Sequence, residues 1–343
     1  KKKFKYSFLK IGELEGELLL FVLAVNKREE VVKLLVQKLS KDGIQTGGFY
    51  EVDQLRRARS KGIFSRADDS SFDVIFSDDR KVCASVRTTS GLVNEKETIH
   101  LTIIDKELTK KYSGNLTMPL AREYFNIESY HLTNDQDFLL LGKKWKTTVK
   151  KGLSGKTKTR IARAKGQRPN YSYALVSFDT FHNTAKKCAI ELPSRYITDI
   201  SFSMLNCQDG ILFSGFYSPD LRGSITGTFS MVYDRTKNAI LKENKKKFSQ
   251  EFLNLFEEQG ASNSLFGYNE NDDLKNFRMD DFVVKDDGSS LLVAEKFYVE
   301  KNTINLQDAY GYPTSTTNYT FNYQDIIVVY FLPNGKVKWY ARI

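Results

Sequence analysis

One pattern recurs along the chain and constrains its fold more than any other feature. An apolar strand runs into a turn rich in Asp and Asn, and a more strongly apolar strand follows the turn. A third strand with a second polar turn and a short fourth strand come after it each time. The segments with the first turn are Phe72–Val82, Tyr130–Phe138, Ile200–Ile211 and Phe282–Leu291. Four strands joined in this way form one blade of a β-propeller, so the sequence predicts an all-β, propeller-like repeat.

The blades are expected to carry long insertions, because the turns recur at intervals longer than the roughly 40 to 50 residues of common propeller repeats. The residues in excess of a common repeat are expected to lie in three insertions, 143–170, 242–276 and 307–323. In the second segment Ser249 can cap a short helix that continues through Glu258. The third segment is rich in Tyr, Thr and Asn and is expected to form an extended hairpin.

The repeat predicts five blades or parts of blades in a single domain, residues 1–343. The remaining unit lies at the start of the chain, where Leu18–Val25 and Val31–Leu39 follow the same pattern. Two arrangements stay open at this point. Either the blades belong to a larger ring with strands outside these residues, or the ring closes by pairing strands from both chain ends. A two-sheet sandwich or an irregular β protein is the alternative fold, because the repeats are degenerate.

Composition agrees with a folded chain that has no membrane-spanning helix. Of its 343 residues 41% are hydrophobic and 13% aromatic, which is enough for a sizeable core and excludes a mainly disordered protein. The longest apolar run, Leu18–Val25, is far shorter than the roughly 18 residues of a membrane-spanning helix. Lys1 begins the chain without an apolar segment behind it, so any signal peptide is expected to lie outside these residues.

The positive charge is concentrated in one segment. The formal net charge is +10, from 52 basic and 42 acidic residues, yet no acid lies between Gly142 and Asn170. We expect a long exposed loop there, which either is simply solvated or contacts an anionic surface or polysaccharide. Nucleic acid is disfavoured as a partner because few aromatic residues accompany the charges. The candidate partner-binding residues are Lys143, Lys144, Lys146, Lys150, Lys151, Lys156, Lys158, Arg160, Arg163, Lys165 and Arg168.

No sequence motif identifies a catalytic or metal site. The three histidines, His100, His131 and His182, have no second His or Cys at ligand spacing, and two of them lie in strands. The chain contains no GxSxG, HExxH or phosphate-loop motif, and its three cysteines are scattered. We therefore expect no cofactor, no metal and no catalytic residue.

Two further patterns have plain structural explanations. Paired turn carboxylates such as Asp78 and Asp79 could supply calcium ligands, but none matches a calcium loop, and Asp in a turn usually bonds its own backbone. Aromatic residues are frequent because they suit half-buried strands. A sugar-binding platform of Trp145, Tyr310 and Tyr312 is the functional alternative.

Several segments resemble an uncharacterised group of exported, propeller-like proteins of Bacteroidota, of the six-bladed type. These segments are Tyr173–Asp179, Gly210–Ser218, Asp287–Tyr298 and Gln324–Tyr330. The Lys-rich insert before an Asn-Tyr-x-Tyr strand, here Asn170–Tyr173, is similar to that group, whereas the insert 242–276 is shorter. The resemblance implies a cell-envelope setting, whether periplasmic, outer-membrane associated or extracellular, and it brings no activity with it.

These features together predict a non-enzymatic propeller that serves as an interaction scaffold or subunit of a cell-envelope or secretion-related assembly. Its partners would be other envelope proteins, and its long insertions would be the contact surfaces. The alternative function is a polysaccharide-binding or polysaccharide-cleaving protein that acts at the propeller face. Two carboxylates that converge within about 5 to 10 Å would favour cleavage.

Overall fold

The computed structural model describes residues 4–26, 28–56, 72–89, 98–120, 124–151, 157–162, 170–205, 210–219, 224–257, 277–307 and 313–343. These residues form five four-stranded sheets, one two-stranded sheet and one helix. In each four-stranded sheet the strands are hydrogen bonded in their order along the chain, which is the arrangement of a propeller blade. The predicted all-β, propeller-like repeat with five blades is confirmed.

The first blade comprises β1 (Lys5–Leu14), β2 (Glu17–Asn26), β3 (Val31–Leu39) and β4 (Gln45–Arg56). The second comprises β5 (Phe72–Phe76), β6 (Val82–Thr89), β7 (Thr98–Asp105) and β8 (Lys110–Thr117). The third comprises β9 (Phe125–Leu132), β10 (Phe138–Trp145), β13 (Tyr171–Asp179) and β14 (Thr184–Ile190), interrupted by the hairpin β11 (Thr147–Lys151) and β12 (Thr157–Ile161). The fourth comprises β15 (Tyr196–Met204), β16 (Gly210–Ser218), β17 (Gly227–Asp234) and β18 (Ala239–Lys247). Helix α1 (Gln250–Glu257) precedes the fifth, which comprises β19 (Phe277–Val284), β20 (Ser290–Gln307), β21 (Pro313–Phe331) and β22 (Val337–Arg342).

Each long insertion lies at the same end of the four-stranded sheet to which it is connected. In an up-and-down sheet, the turns after the first and third strands lie at one end, and all other connections lie at the opposite end. The β11–β12 hairpin and the tip of β20–β21 each connect a second strand to a third, and α1 follows a fourth strand. Each insertion therefore lies at the end of its sheet opposite to the Asp-rich turns.

The polar turns share one backbone geometry. In each, the N–H of the fourth residue donates to the carbonyl of the first, and the fourth residue has a positive φ of 55 to 78°. This is a type I turn followed by a residue in the left-handed region, a common β-hairpin connection. The turns with this geometry include Ser77–Arg80, Asp105–Leu108, Thr133–Gln136, Lys285–Gly288 and Leu332–Gly335.

Five aspartates in these turns and the related ones have pKa values below the ordinary value. For Asp179 and Asp234 the main cause is a hydrogen bond from a backbone N–H of the turn, and for Asp287 it is a hydrogen bond from a serine hydroxyl. Burial alone would raise the pKa of Asp79 and Asp105, but hydrogen bonds from a serine hydroxyl and a lysine ammonium, respectively, help to lower it by more. These carboxylates therefore stabilise the turns in their charged form.

Acid is expected to destabilise the blades through these turns. Because the pKa of each group is lower in the folded chain than its ordinary value of 3.8, its stabilising effect is present above that value and is lost as the pH falls through the folded pKa. The urea midpoint of unfolding should therefore fall as the pH is lowered from about 4 to about 2, and the fall should be smaller for Asp179→Asn. A midpoint that stays constant over this range would contradict the assignment.

The first strand of four blades carries a β-bulge at a corresponding position. The extra residues are Leu9, Glu128, Thr198 and Asp280. After the bulge in β15, Asp199 accepts hydrogen bonds from the backbone N–H of Ile200 (2.9 Å) and of Met279 in β19 (2.7 Å). After the bulge in β1, the Lys10 ammonium donates to the carbonyl of Val74 in β5 (2.7 Å). In these two blades, the residue after the bulge forms a hydrogen bond with the first strand of the next blade.

Hydrophobic cores lie between successive blades. The first and second blades share a core that includes Leu34 and Phe72. The second and third blades share another, with Ile103 and Phe138 fully buried. The fourth and fifth blades share a third, which α1 completes with side chains such as Phe252. Burial of both faces of a blade explains why the central strands are almost continuously apolar.

Two compact units divide the chain. One consists of Lys1–Ile161 and Tyr173–Ile190 and contains the first three blades apart from the start of β13. The other consists of Ala162–Ser172 and Glu191–Ile343 and contains the fourth and fifth blades with α1. The organisation of residues 1–343 as a single domain stays a prediction.

The helix predicted in segment 242–276 is present. The Ser249 hydroxyl accepts a hydrogen bond from the backbone N–H of Phe252 (3.3 Å), which is the contact of an N-cap. The segment itself begins later than predicted, because β18 continues to Lys247. No helix in the described ranges is both long and apolar enough to cross a membrane.

The described parts of the basic segment 143–170 do not form the long loop that the sequence predicts. Lys143 and Lys144 continue β10, and 147–151 pairs with 157–161 as the β11–β12 hairpin. Thr, Val and Ile alternate with the basic residues in these two strands, and β-branched residues favour extended backbone. The extended hairpin predicted for 307–323 is confirmed, but its strands begin well before that segment, at Ser290, and end after it.

Candidate functional site

Strands β20 and β21 extend beyond both of their neighbours as a two-stranded ribbon. Strand β19 pairs with β20 only as far as Lys296, and β22 pairs with β21 only as far back as Ile327. Beyond these points, 297–307 pairs with 313–323. We call these two segments the aromatic ribbon.

One face of the aromatic ribbon exposes three aromatic rings. Tyr319, Phe321 and Tyr323 lie two residues apart along β21, so their side chains point to the same face. They are 57%, 60% and 64% exposed, respectively. Their partners across the ribbon are, in the same order, Lys301, which is exposed, Val299, which is 43% exposed, and Phe297. We call Tyr319, Phe321 and Tyr323 the aromatic ladder.

Ring contacts hold the base of the aromatic ladder. The ring centroid of Phe297 lies 5.0 Å from that of Tyr323 and 6.4 Å from that of Phe321, with the latter pair stacked at 19°. The guanidinium carbon of Arg278 in β19 lies 4.9 Å from the centroid of Phe297. Aromatic and cation–π pairs of this kind each contribute about 0.5 to 1.5 kcal/mol. They pre-order two of the three ladder rings.

Polar side chains lie on the opposite face of the ribbon and next to the ladder on its own face. Asn318, Thr320 and Asn322 alternate with the rings along β21 and therefore belong to the opposite face of the ribbon. Beyond Tyr319, the ladder's own face continues into a pair of hydroxyls, because Thr303 and Thr317 lie opposite each other with their oxygens 3.3 Å apart. The ribbon is amphipathic, with rings followed by hydroxyls on one face.

The aromatic ladder is a stacking surface. Soluble proteins expose contiguous apolar patches mainly where they bind a ligand or a partner. Successive rings recur about every 6.8 Å along the strand. Tyrosine combines an apolar ring face with a hydroxyl that can form hydrogen bonds. Such a row suits an extended ligand that repeats flat apolar faces edged with hydroxyl groups.

Three carboxylates lie on the first strands of the fourth and fifth blades. Asp280 and Asp281 are exposed at the bulge of β19, where the backbone N–H of Phe282 donates to Asp281 (2.8 Å). Asp199 is half-buried, and its two oxygens accept the backbone hydrogen bonds described above. Among the residues that the structure describes, no group of three or more His, Cys, Asp or Glu is placed to hold a metal ion.

Seven of the eleven predicted basic residues lie within the part of the chain that the structure describes. Lys143 is half-buried, with its ammonium 5.3 Å from the ring centroid of Tyr173 and 4.0 Å from Glu128. Lys144, Lys146 and Arg160 are exposed. The others are Lys150, Lys151 and Lys158, within the strands of the β11–β12 hairpin, and Lys156, Arg163, Lys165 and Arg168, outside the described residues. Their role in binding a partner stays a prediction.

The histidines lie apart from one another, and each contacts a carboxylate. His100 Nε2 in β7 lies 3.7 Å from Asp53, and His131 Nε2 in β9 lies 3.2 Å from Asp78. His182 contacts an aspartate in its own turn after β13. His100 and His131 lie in strands, as predicted.

The cysteine thiols of the described residues are not activated. Cys83 is buried between the first two blades, and burial raises the pKa of its thiol to about 12. Burial also raises the pKa of Cys188. Nucleophilic cysteines require the opposite shift. Cys207 lies outside the described residues.

The sugar-binding platform of Trp145, Tyr310 and Tyr312 stays a prediction. Trp145 is half-buried at the end of β10, and Tyr310 and Tyr312 lie outside the described residues. The aromatic ladder is missed, although the alternation Tyr-Thr-Phe-Asn-Tyr over 319–323 is its sequence signal. Such alternation normally marks a strand with one buried face, and here nothing among the described residues buries it.

No protein-family model and no curated protein matches the chain. Solved structures match its fold. The acylaminoacyl peptidase of Pyrococcus horikoshii is 11% identical, with 95% of this chain and 43% of the peptidase covered and a TM-score of 0.42. Prolyl oligopeptidase B of Galerina marginata, bound to a 35mer substrate, is 9% identical, with coverages of 94% and 30% and a TM-score of 0.35. The α-L-arabinofuranosidase of Fusarium graminearum, in complex with arabinobiose, is 9% identical, with coverages of 100% and 93% and a TM-score of 0.35. This chain spans less than half the length of either peptidase.

The comparison contradicts the prediction of a non-enzymatic interaction scaffold, because the propeller proteins it returns are mostly peptidases and glycosidases. That prediction depended on the lack of short catalytic motifs in the sequence. A constellation of side chains from separate blades leaves no such motif, so the lack of one does not indicate a scaffold.

Proposed function

We propose that this protein binds polysaccharide and that the aromatic ladder is its sugar-binding surface. The observation that carries the proposal is the row of three rings on one face of the ribbon, each more than half exposed. Phe297 contacts Phe321 and Tyr323 and is itself contacted by Arg278, so two of the three rings are ordered before a ligand arrives. Pre-ordering lowers the entropic cost of binding.

Sugar chemistry matches the details of this surface. The C–H groups on one face of a pyranose make that face apolar, while its hydroxyls project at the rim. A sugar can therefore stack on a ring of the ladder and form hydrogen bonds with the Tyr319 or Tyr323 hydroxyl. The Thr303 and Thr317 hydroxyls extend the same face. A polymer contacts several rings at once, which multiplies contacts that are weak individually.

Replacing the aromatic ladder should abolish measurable binding without affecting the fold. We expect the triple variant Tyr319→Ala, Phe321→Ala and Tyr323→Ala to bind a neutral soluble polysaccharide about 100-fold more weakly, a loss of about 2.7 kcal/mol. Affinity electrophoresis against a panel such as xyloglucan, galactomannan and mixed-linkage glucan identifies the ligand, and calorimetry then measures Kd. Circular dichroism should show the native spectrum, with a melting temperature lowered by only a few degrees, because the variant also loses the ring contacts of Phe321 and Tyr323 with Phe297.

The ribbon offers a matched control on its other face. The variant Asn318→Ala, Thr320→Ala and Asn322→Ala removes three side chains from the same strand and should bind within threefold of the native chain. Equal affinity of the ladder variant and the native chain would contradict the proposal. So would a native chain that none of the polysaccharides retards.

Cleavage of the bound polysaccharide is the second candidate function. The observation that favours it is the exposed pair Asp280 and Asp281 on β19, the strand that also supplies Arg278 beneath the ladder. Glycosidases use two carboxyl groups as acid and as base or nucleophile. Release of reducing ends that is lost in Asp280→Asn or Asp281→Asn, and kept in Thr320→Ala, would support cleavage. Binding without release would exclude it for that polysaccharide.

The cell-envelope location implied by the resemblance to exported proteins of Bacteroidota stays a prediction. It suits the proposed function, because polysaccharides are abundant outside the cytoplasm.

A further inference from the structure

The β11–β12 hairpin concentrates positive charge that no acid of its own segment balances. The formal net charge of the chain is +10. The eleven basic residues between Gly142 and Asn170 account for all of it, because the rest of the chain has a net charge of 10 − 11 = −1. Lys150 lies directly opposite Lys158 in the register of the hairpin. Like charges opposite each other destabilise strand pairing. Two basic positions are nevertheless paired across the hairpin.

The register divides the hairpin into two faces. The pair Thr148 and Arg160 lies two residues from the pair Lys150 and Lys158 along both strands, so these positions share a face. The alternate pairs belong to the other face, where Val149 and Ile161 are 65% and 46% exposed. The exposed Lys144 and Lys146 precede the hairpin. One face of the hairpin thus carries basic positions, and we call it the basic face.

We infer that the basic face of the β11–β12 hairpin is a second binding site, which takes an acidic polysaccharide through its carboxylate or sulfate groups. Lysine and arginine form charge-assisted hydrogen bonds with such groups. An acidic polysaccharide repeats its charges along an extended chain, as the hairpin repeats basic positions along its strands. Nucleic acid fits less well, because neither strand of the hairpin contains an aromatic residue that could stack on a base. The site shares no residue with the aromatic ladder.

Polygalacturonate is the probe for this site. The variant carries glutamine at Lys144, Lys146, Lys150, Lys158 and Arg160. We expect it to bind polygalacturonate at least tenfold more weakly at low salt, and its affinity should depend less on ionic strength, because fewer exposed charges are screened. The control carries glutamine at five exposed lysines elsewhere, Lys110, Lys186, Lys187, Lys242 and Lys247, and has the same net charge. It should stay within threefold of the native chain.

Three outcomes would overturn the inference. The native chain could show no salt-dependent binding of polygalacturonate, or the control variant could lose as much affinity as the hairpin variant, which would leave only an effect of net charge. A single-stranded DNA of equal charge could also bind the hairpin as tightly as polygalacturonate does. The ladder variant should keep the salt-sensitive binding, so a failure of the polysaccharide site on the ribbon is seen separately.

Discussion

Gly215→Val is expected to lower the free energy of unfolding by about 3 to 5 kcal/mol or to prevent stable folding. Gly215 lies in β16, between β15 and β17. A Cβ atom at this position would lie 2.2 Å from the carbonyl oxygen of Asp199 and 3.0 Å from the ring of Phe229. The nearest of these is backbone of a paired strand, which cannot move aside without breaking the ladder of hydrogen bonds.

Gly48 provides the control for this substitution. It lies in β4, it is exposed, and a Cβ atom there would meet nothing within 4 Å. Gly48→Val should change the free energy of unfolding by less than about 1 kcal/mol. Urea unfolding followed by circular dichroism compares the two variants. Equal midpoints for Gly215→Val and the native chain would mean that β15 and β16 are not as closely paired as described.

Asp53→Asn is expected to cost about 3 to 5 kcal/mol, because it leaves a buried guanidinium without its counter-charge. Asp53 in β4 and Arg87 in β6 are only 7% and 10% exposed, and Arg87 Nε donates to Asp53 across 3.2 Å. The same carboxylate accepts a hydrogen bond from the backbone N–H of Gln54 (2.7 Å) and lies 3.7 Å from His100. This ion pair joins the first and second blades.

A neighbouring pair on the same strand shows the effect of exposure. Glu51 in β4 pairs with Lys33 in β3 at 2.5 Å, but these side chains are 40% and 29% exposed. Glu51→Gln should therefore cost less than about 1 kcal/mol. The double variant Asp53→Asn with Arg87→Met should recover part of the loss, since it removes the unpaired charge as well. Equal urea midpoints for Asp53→Asn and Glu51→Gln would contradict a buried role for Asp53.

The central strands of each blade can be predicted from sequence, and the outer ones much less so. Strands such as β2 and β16 are buried on both faces and appear as continuous apolar runs. Strand β18 is mostly exposed, with five charged residues among nine, so its pattern resembles that of a loop. The β-bulges are not predictable locally, because the extra residue is defined only by its partner strand.

The candidate site can be recognised only in the folded structure and not from the composition of the sequence. In the sequence, the alternation of Tyr319, Phe321 and Tyr323 is typical of any half-buried strand. Aromatic residues are frequent throughout the chain, so three more do not indicate a site. Their exposure results from the length of β20 and β21 relative to β19 and β22. Likewise, the charge run 143–170 is visible in the sequence, but its division into two faces depends on the register of β11 and β12.

Hydroxyl-radical footprinting read by mass spectrometry tests the contact between polysaccharide and aromatic ladder most directly. Phe8 and Phe181, which are 68% and 92% exposed, are internal controls in the same sample. We predict that bound polysaccharide slows the oxidation of Tyr319, Phe321 and Tyr323 several-fold and leaves both controls unchanged. If the ladder is oxidised at the same rate with and without a polysaccharide that the chain binds, the aromatic ladder is not the sugar-binding surface.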